Sequence, residues 1–194
     1  MTKEKLADVY AAMGKKREAL EMYSSALVSY AKFNGPGSAH RIKPLTSMGA
    51  IQVSDQNYKG ACENYNQAYI LTQRSRGVAS PEAMKMRLML AAANRAANSY
   101  DKAATLYNES FELQKKDEKL IPDDQLVSSL QDYVVVLRAL KKDDDAEKIA
   151  ARVAVLQGGA DAPGAGASSS AAGTGAEVTK TEVTSTTSTE ATAK

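Results

Sequence analysis

Twelve residues beginning at Tyr58, YKGACENYNQAY, are answered 42 positions later by YDKAATLYNESF beginning at Tyr100. The first, fourth, eighth and ninth residues agree, and the last two are small and aromatic in both. A further step of 42 toward the N-terminus lands on Lys16, where KREALEMYSSAL places Ala19, Tyr23 and Ala26 in register with Ala61, Tyr65, Ala68 and with Ala103, Tyr107, Ser110. A weaker fourth copy, shifted by one, sets Ala146, Ala150 and Val153 at the small, aromatic and small places. A fixed period of this length marks an array of supersecondary units that bury their apolar faces against one another.

Within the unit, offsets of three and four residues mark helix faces, and the first copy shows two of them: Leu6, Ala7 and Tyr10, then Ala19, Tyr23 and Ala26 beyond Gly14. Each repeat therefore reads as a helical hairpin. Alanines let two helices approach, and the aromatic ring one turn later fills the space beside the contact, so bulkier residues at Ala19, Ala61 or Ala103 should overpack. Asn34-Gly35-Pro36-Gly37, Ser80-Pro81-Glu82 and Pro122-Asp123-Asp124 punctuate the hairpins as turn and helix-start signals. The reading is of eight helices over about 2–13, 16–33, 39–54, 57–75, 81–97, 100–118, 123–140 and 143–157, with no strand.

The order Leu6-Ala7, Tyr10, Gly14, Ala19, Tyr23, Ala26 resembles the tetratricopeptide repeat. The second and third copies depart from it at Gln52 and Gln56, and at Asn94 and Asn98. The usual unit has 34 residues; a period of 42 resembles the kinesin light chain-like branch, as does the turn Gly35-Pro36 before His40. The resemblance implies an all-α, right-handed superhelical solenoid of about four hairpins, 2–35, 39–77, 81–119 and 123–157, forming one domain over 1–157. It also implies that the first helix of each hairpin lines a concave groove that grips a partner peptide or helix.

Carried over by position, that groove includes Glu4, Asp8 and Ala12 of the first repeat, then Thr46, Ser47, Ala50 and Val53 of the second. It continues through Lys85, Leu88, Met89, Ala92 and Arg95 of the third to Gln131, Val135 and Arg138 of the fourth. The family's Lys-Asn-Arg clamp for a terminal carboxylate is not reproduced, because Glu4 and Asp8 stand where it needs Lys and Asn. The third first-helix, AMKMRLMLAAANRAA, is apolar nearly all round, which reads as burial between neighbouring repeats. The sharper alternative is an adaptable apolar floor of Leu88, Met89 and Ala92 flanked by Lys85, Arg95 and Arg138.

Other chemistry finds little support. His40 is the single histidine and Cys62 the single cysteine, which leaves neither a histidine pair for a metal nor a disulfide framework. Asp143-Asp144-Asp145 lacks the alternating ligands and glycine of a calcium loop and reads as first-turn acids favoured by the helix dipole. No catalytic residue, cofactor or metal is expected. The net charge is +2, and since residues 158–194 hold four acids against two lysines, the repeats carry +4, spread without a basic run, so nucleic acid is not expected. No apolar run reaches the length of a bilayer span and no export signal opens the chain, which together point to a cytoplasmic protein. From 158 to 194 there is no Leu, Ile, Met or aromatic residue, and this segment reads as a disordered Gly/Ala/Ser/Thr-rich tail. Two functions are carried forward: a non-catalytic scaffold for a protein partner, and a structural module that self-assembles through its uncapped N-terminal repeat as a homo-oligomer, as a piece of a larger protein would.

Overall fold

A computed structural model describes residues 2–158, and the expected tail lies outside them except for Gly158. The described residues form eight α-helices: α1 (Lys3–Ala12), α2 (Lys16–Asn34), α3 (Ile42–Ser54), α4 (Tyr58–Arg76), α5 (Pro81–Ala96), α6 (Tyr100–Gln114), α7 (Asp123–Ala139) and α8 (Asp143–Leu156). A single 3-10 turn, Ala39–Arg41, precedes α3. Successive helices pair into four hairpins, α1 with α2 through α7 with α8, and each hairpin packs on the next to make an all-α solenoid.

The caps explain where several helices start. Thr2 Oγ1 accepts from Lys5 N at 3.4 Å, Asn57 Oδ1 from Gly60 N at 3.2 Å and Ser80 Oγ from Ala83 N at 3.1 Å, each relieving an otherwise unpaired first-turn amide. Pro81 adds a φ already suited to the first turn. Between hairpins, α2 and α4 both end on a glycine with positive φ, Gly35 at 83° and Gly77 at 92°, again 42 residues apart.

The repeated residues form the seams. Ala19, Ala61 and Ala103 are fully buried at the helix crossings, with Tyr23, Tyr65 and Tyr107 buried one turn on. The fourth copy keeps this arrangement at Ala146 and Val153, while Ala150 is half-buried.

The bend inside each hairpin is preserved where its glycine is not. Gly14 has φ +73°, and the corresponding Gln56, Asn98 and Lys141 have +59°, +57° and +58°. Four left-handed residues at one register position show that hairpin packing imposes the bend and that side chains tolerate it at a cost of about 1 kcal/mol. Gln56→Gly and Lys141→Gly are therefore expected to raise stability by about 0.5–1 kcal/mol each, and Gly14→Ala to lower it by a similar amount, as read by urea denaturation.

One boundary differs from the sequence expectation. Helix α6 ends at Gln114 rather than near 118. The Gln114 side chain, 3% exposed, donates from Nε2 to the Glu118 carbonyl at 2.6 Å and accepts from Ile121 N at 2.8 Å. This buried amide folds residues 115–121 into a strap that brings Leu120 and Ile121 into the core with Met84, Tyr107 and Leu126. Continued helix would satisfy the same backbone groups but leave those two apolar side chains without that burial.

Candidate functional site

The first helices α3 and α5 meet over a cleft of about 210 Å³ lined by Val53, Met89, Ala92, Arg95 and Ala96, with Tyr65 of α4 at its back. Apolar groups form its walls, and the Arg95 guanidinium lies at one end, held by Asp132 of α7 with Nη2 and Oδ1 3.2 Å apart. Asp132 in turn accepts from the Tyr107 hydroxyl at 3.2 Å, so α5, α6 and α7 share one polar tie. Burial, then the Asp132 charge, raises the Tyr107 pKa, so the phenol keeps the proton it donates.

The first repeat has an equivalent tie. Tyr23 donates to Asp8 Oδ1 at 2.6 Å, Tyr30 donates to Glu4 Oε2 at 2.6 Å, and Lys43 of α3 reaches both carboxylates, Asp8 at 2.6 Å and Glu4 at 3.0 Å. The Lys43 hydrogen bond, then that of Tyr23, holds the Asp8 carboxyl below its ordinary range, while Asp8 and Glu4 raise the Lys43 ammonium above its own. Glu4 and Asp8 are thus engaged in joining the first two repeats rather than offered as free groove acids.

Tyr65 breaks the pattern. Its hydroxyl has no hydrogen bond among the described residues, and its ring lies against the α3 backbone at Gly49, where an added Cβ would come within 2.5 Å of Tyr65 Cε1. The corresponding residues in the first and third repeats are Ala7 and Ala91. The missing methyl lets the second tyrosine sink toward α3 and leaves the 210 Å³ cleft in front of it.

The sequence candidates separate accordingly. Met89, Ala92, Arg95 and Val53 come together in the cleft. Leu88 does not: at 3% exposed it packs with Met84, Ala91, Tyr107 and Leu130, because one residue along a helix turns the side chain about 100° away from Met89. Lys85 lines a separate hollow with Ile42, Lys43, Arg76 and Met86. The Thr46 hydroxyl donates to its own helix at Ile42 O, 2.8 Å away, and Ser47 lies beside the Tyr23 hydroxyl. Gln131, Val135 and Arg138 are exposed on α7 but do not line the cleft.

Sequence reasoning missed Lys43, Asp132 and the role of Tyr65. The Glu4/Asp8 pair at i, i+4 was a signal that a cation faces them; nothing in the local sequence joins Asp132 to Arg95. Elsewhere, Cys62 is half-buried with its thiol pKa pushed up by burial, His40 stacks on Tyr30 at 5.6 Å, and Asp143, Asp144 and Asp145 occupy the first turn of α8. No helix among the described residues is long and apolar enough to cross a membrane.

Residues 40–116 match the family model of the tetratricopeptide repeat. No curated protein matches the chain. Among solved structures, BtubC (BKLC) from P. vanneervenii is similar over 88% of this chain and 68% of its own, at 18% identity and a TM-score of 0.72. The nearly identical TPR-like repeats from Podosopora anserina, described as those of a kinesin light chain, are similar over 80% of this chain and 73% of theirs, also at 18% identity, with a TM-score of 0.67. At that identity the structural likeness speaks for the fold. Residues 40–116 thus match tetratricopeptide repeats, which are generally protein-interaction modules, and the four 42-residue hairpins carry the corresponding all-α solenoid fold over the described residues.

Proposed function

We propose that this protein is a non-catalytic scaffold whose concave surface binds a peptide or helix of a partner protein, with the cleft between α3 and α5 as its central anchor point. The carrying observation is that Val53, Met89, Ala92 and Arg95, residues of two successive first helices, enclose a 210 Å³ hollow backed by Tyr65. Apolar walls with one polar group at the end suit a single apolar side chain, and the flexible Met89 adapts to its shape. A side chain buried centrally in this way carries a disproportionate share of binding energy.

Met89→Glu and Arg95→Glu are each expected to reduce partner recovery about tenfold or more in a pull-down from cell extract, with circular dichroism unchanged. Equal recovery of every partner by wild type and both variants would overturn the proposal. An unfolded Met89→Glu protein would instead make Met89 a core residue.

One observation favours the structural alternative. Ile51 and Ala93 pack against the hairpin before their own, while the corresponding Val9 is 44% exposed and Met13, on the same face, 60% exposed. An apolar face of this register suits a further hairpin, and a second copy of the chain can supply one. Light scattering over a dilution series decides: a monodisperse monomer at micromolar concentration removes self-assembly through this face.

A further inference from the structure

A cavity of about 460 Å³ lies away from the inner cleft, between the second helices α4 and α6, with α5 as its floor. Cys62, Glu63, Leu90, Asn94, Lys102 and Leu106 line it. Arg87, Leu90 and Asn94 stand at i, i+3 and i+7 on α5, so Arg87 lies on the same face of the helix, one turn before the residues that line the cavity.

Arg87 is 3% exposed, and none of the ion pairs among the described residues includes it. Its Nε and Nη2 donate to the Tyr69 hydroxyl oxygen at 2.8 and 2.5 Å, and Gln73 Nε2 donates to the same oxygen at 2.6 Å. Its Nη1 is buried with no hydrogen-bond partner among the described residues. Two guanidinium donors thus meet one phenolic oxygen, and a permanent positive charge sits in the interior with donor capacity to spare. Burying a guanidinium in this way is unfavourable unless an anion compensates it. The cavity lining itself holds one acid, Glu63, and one base, Lys102, so the neighbouring Arg87 carries the unbalanced charge.

We propose that the space between α4, α5 and α6 is a second binding site, separate from the inner cleft. In it Arg87, Tyr69 and Gln73 hold an oxyanion, a carboxylate or a phosphate, whose carrier lies in the cavity over Leu90 and Leu106. The planar guanidinium suits such a group, which gives Nη1 the acceptor it lacks. Gln73 is only half-buried and is the most exposed member of the cluster.

The test is the melting temperature of the full chain in inorganic phosphate, in acetate and in chloride, at one pH and one ionic strength, for wild type, Arg87→Leu and Tyr69→Phe. Phosphate or acetate is expected to raise the wild-type value by about 3 °C or more over chloride at saturation. The rise is expected to be absent in Arg87→Leu and reduced in Tyr69→Phe, with the stronger anion identifying phosphate or carboxylate as the ligand chemistry. General salt effects act on all three proteins alike. An equal wild-type response to all three salts, or an undiminished response in Arg87→Leu, overturns the site. Should Arg87→Leu fail to fold, an undiminished response in Tyr69→Phe overturns it equally. Arg95→Glu, which alters the inner cleft, is expected to keep the anion response.

Discussion

Replacing Tyr107 by alanine is expected to destabilise the array by about 3–5 kcal/mol. The ring is 1% exposed and packs against Phe111 at 6.1 Å and Tyr133 at 5.7 Å, between the third hairpin and the fourth. Alanine removes that volume from a site bounded by Leu130 and Val136, which helix backbones prevent from collapsing inward. It also removes the hydroxyl that donates to Asp132, and with it one fixed partner of the carboxylate that orients Arg95. Tyr107→Phe keeps the packing and is expected to cost about 1–2 kcal/mol, which separates ring from hydroxyl. Urea denaturation of the two variants measures both quantities. A cost below about 1 kcal/mol for the alanine would show that the third seam is not the core it is described as. Stability in a repeat array is a sum of neighbour terms, so the loss should appear first as release of α7 and α8 in hydrogen exchange.

Gly49→Ala is the second large effect, and two opposing terms decide its sign. In the middle of a helix, alanine is favoured over glycine by about 1 kcal/mol. Against this, the new Cβ would sit 2.5, 2.7 and 2.9 Å from Cε1, Cδ1 and Cζ of Tyr65, distances at which something must shift. The Tyr65 ring is 4% exposed and wedged among Leu45, Ala61 and Ala68, so it cannot swing away as a surface side chain would. Overpacking of this kind costs about 1–3 kcal/mol, and more where the ring is confined, so the net expectation is destabilisation by about 1–2 kcal/mol. Tyr65 forms the back of the cleft, so displacing it should also weaken partner recovery, an effect that Ala7→Gly in the first repeat is not expected to show. Calorimetric melting and a pull-down on the same preparations check the two halves together. An increase in stability with unchanged binding would mean that the ring is free to move and does not shape the cleft.

The repeat itself was legible because spacing alone carries it. Alanine and tyrosine at 19 and 23, 61 and 65, 103 and 107 can recur at one interval only if the same helix crossing recurs, and the array of hairpins follows from that. The strap at 115–121 was not legible, since residues 115–118 are compatible with helix and it takes Gln114, Leu120 and Ile121 together to favour turning inward. The same limit applies to Leu88 and Met89. Adjacent letters in an apolar run carry no sign of which one meets the next hairpin and which one meets the cleft.

What this sequence determined by itself was periodic: eight helices, four hairpins and the packing seams, because local turn geometry and the 42-residue interval dictate them without reference to distant contacts. What only the tertiary structure decided were the departures from that period. A methyl group missing at Gly49 leaves a cleft before Tyr65, Asp132 crosses from α7 to hold Arg95, and Arg87 is enclosed without a counter-charge. The physical reason is that each depends on side chains from different hairpins meeting within a few ångströms. Such meetings are set by how the repeats stack, which no single stretch of the chain encodes.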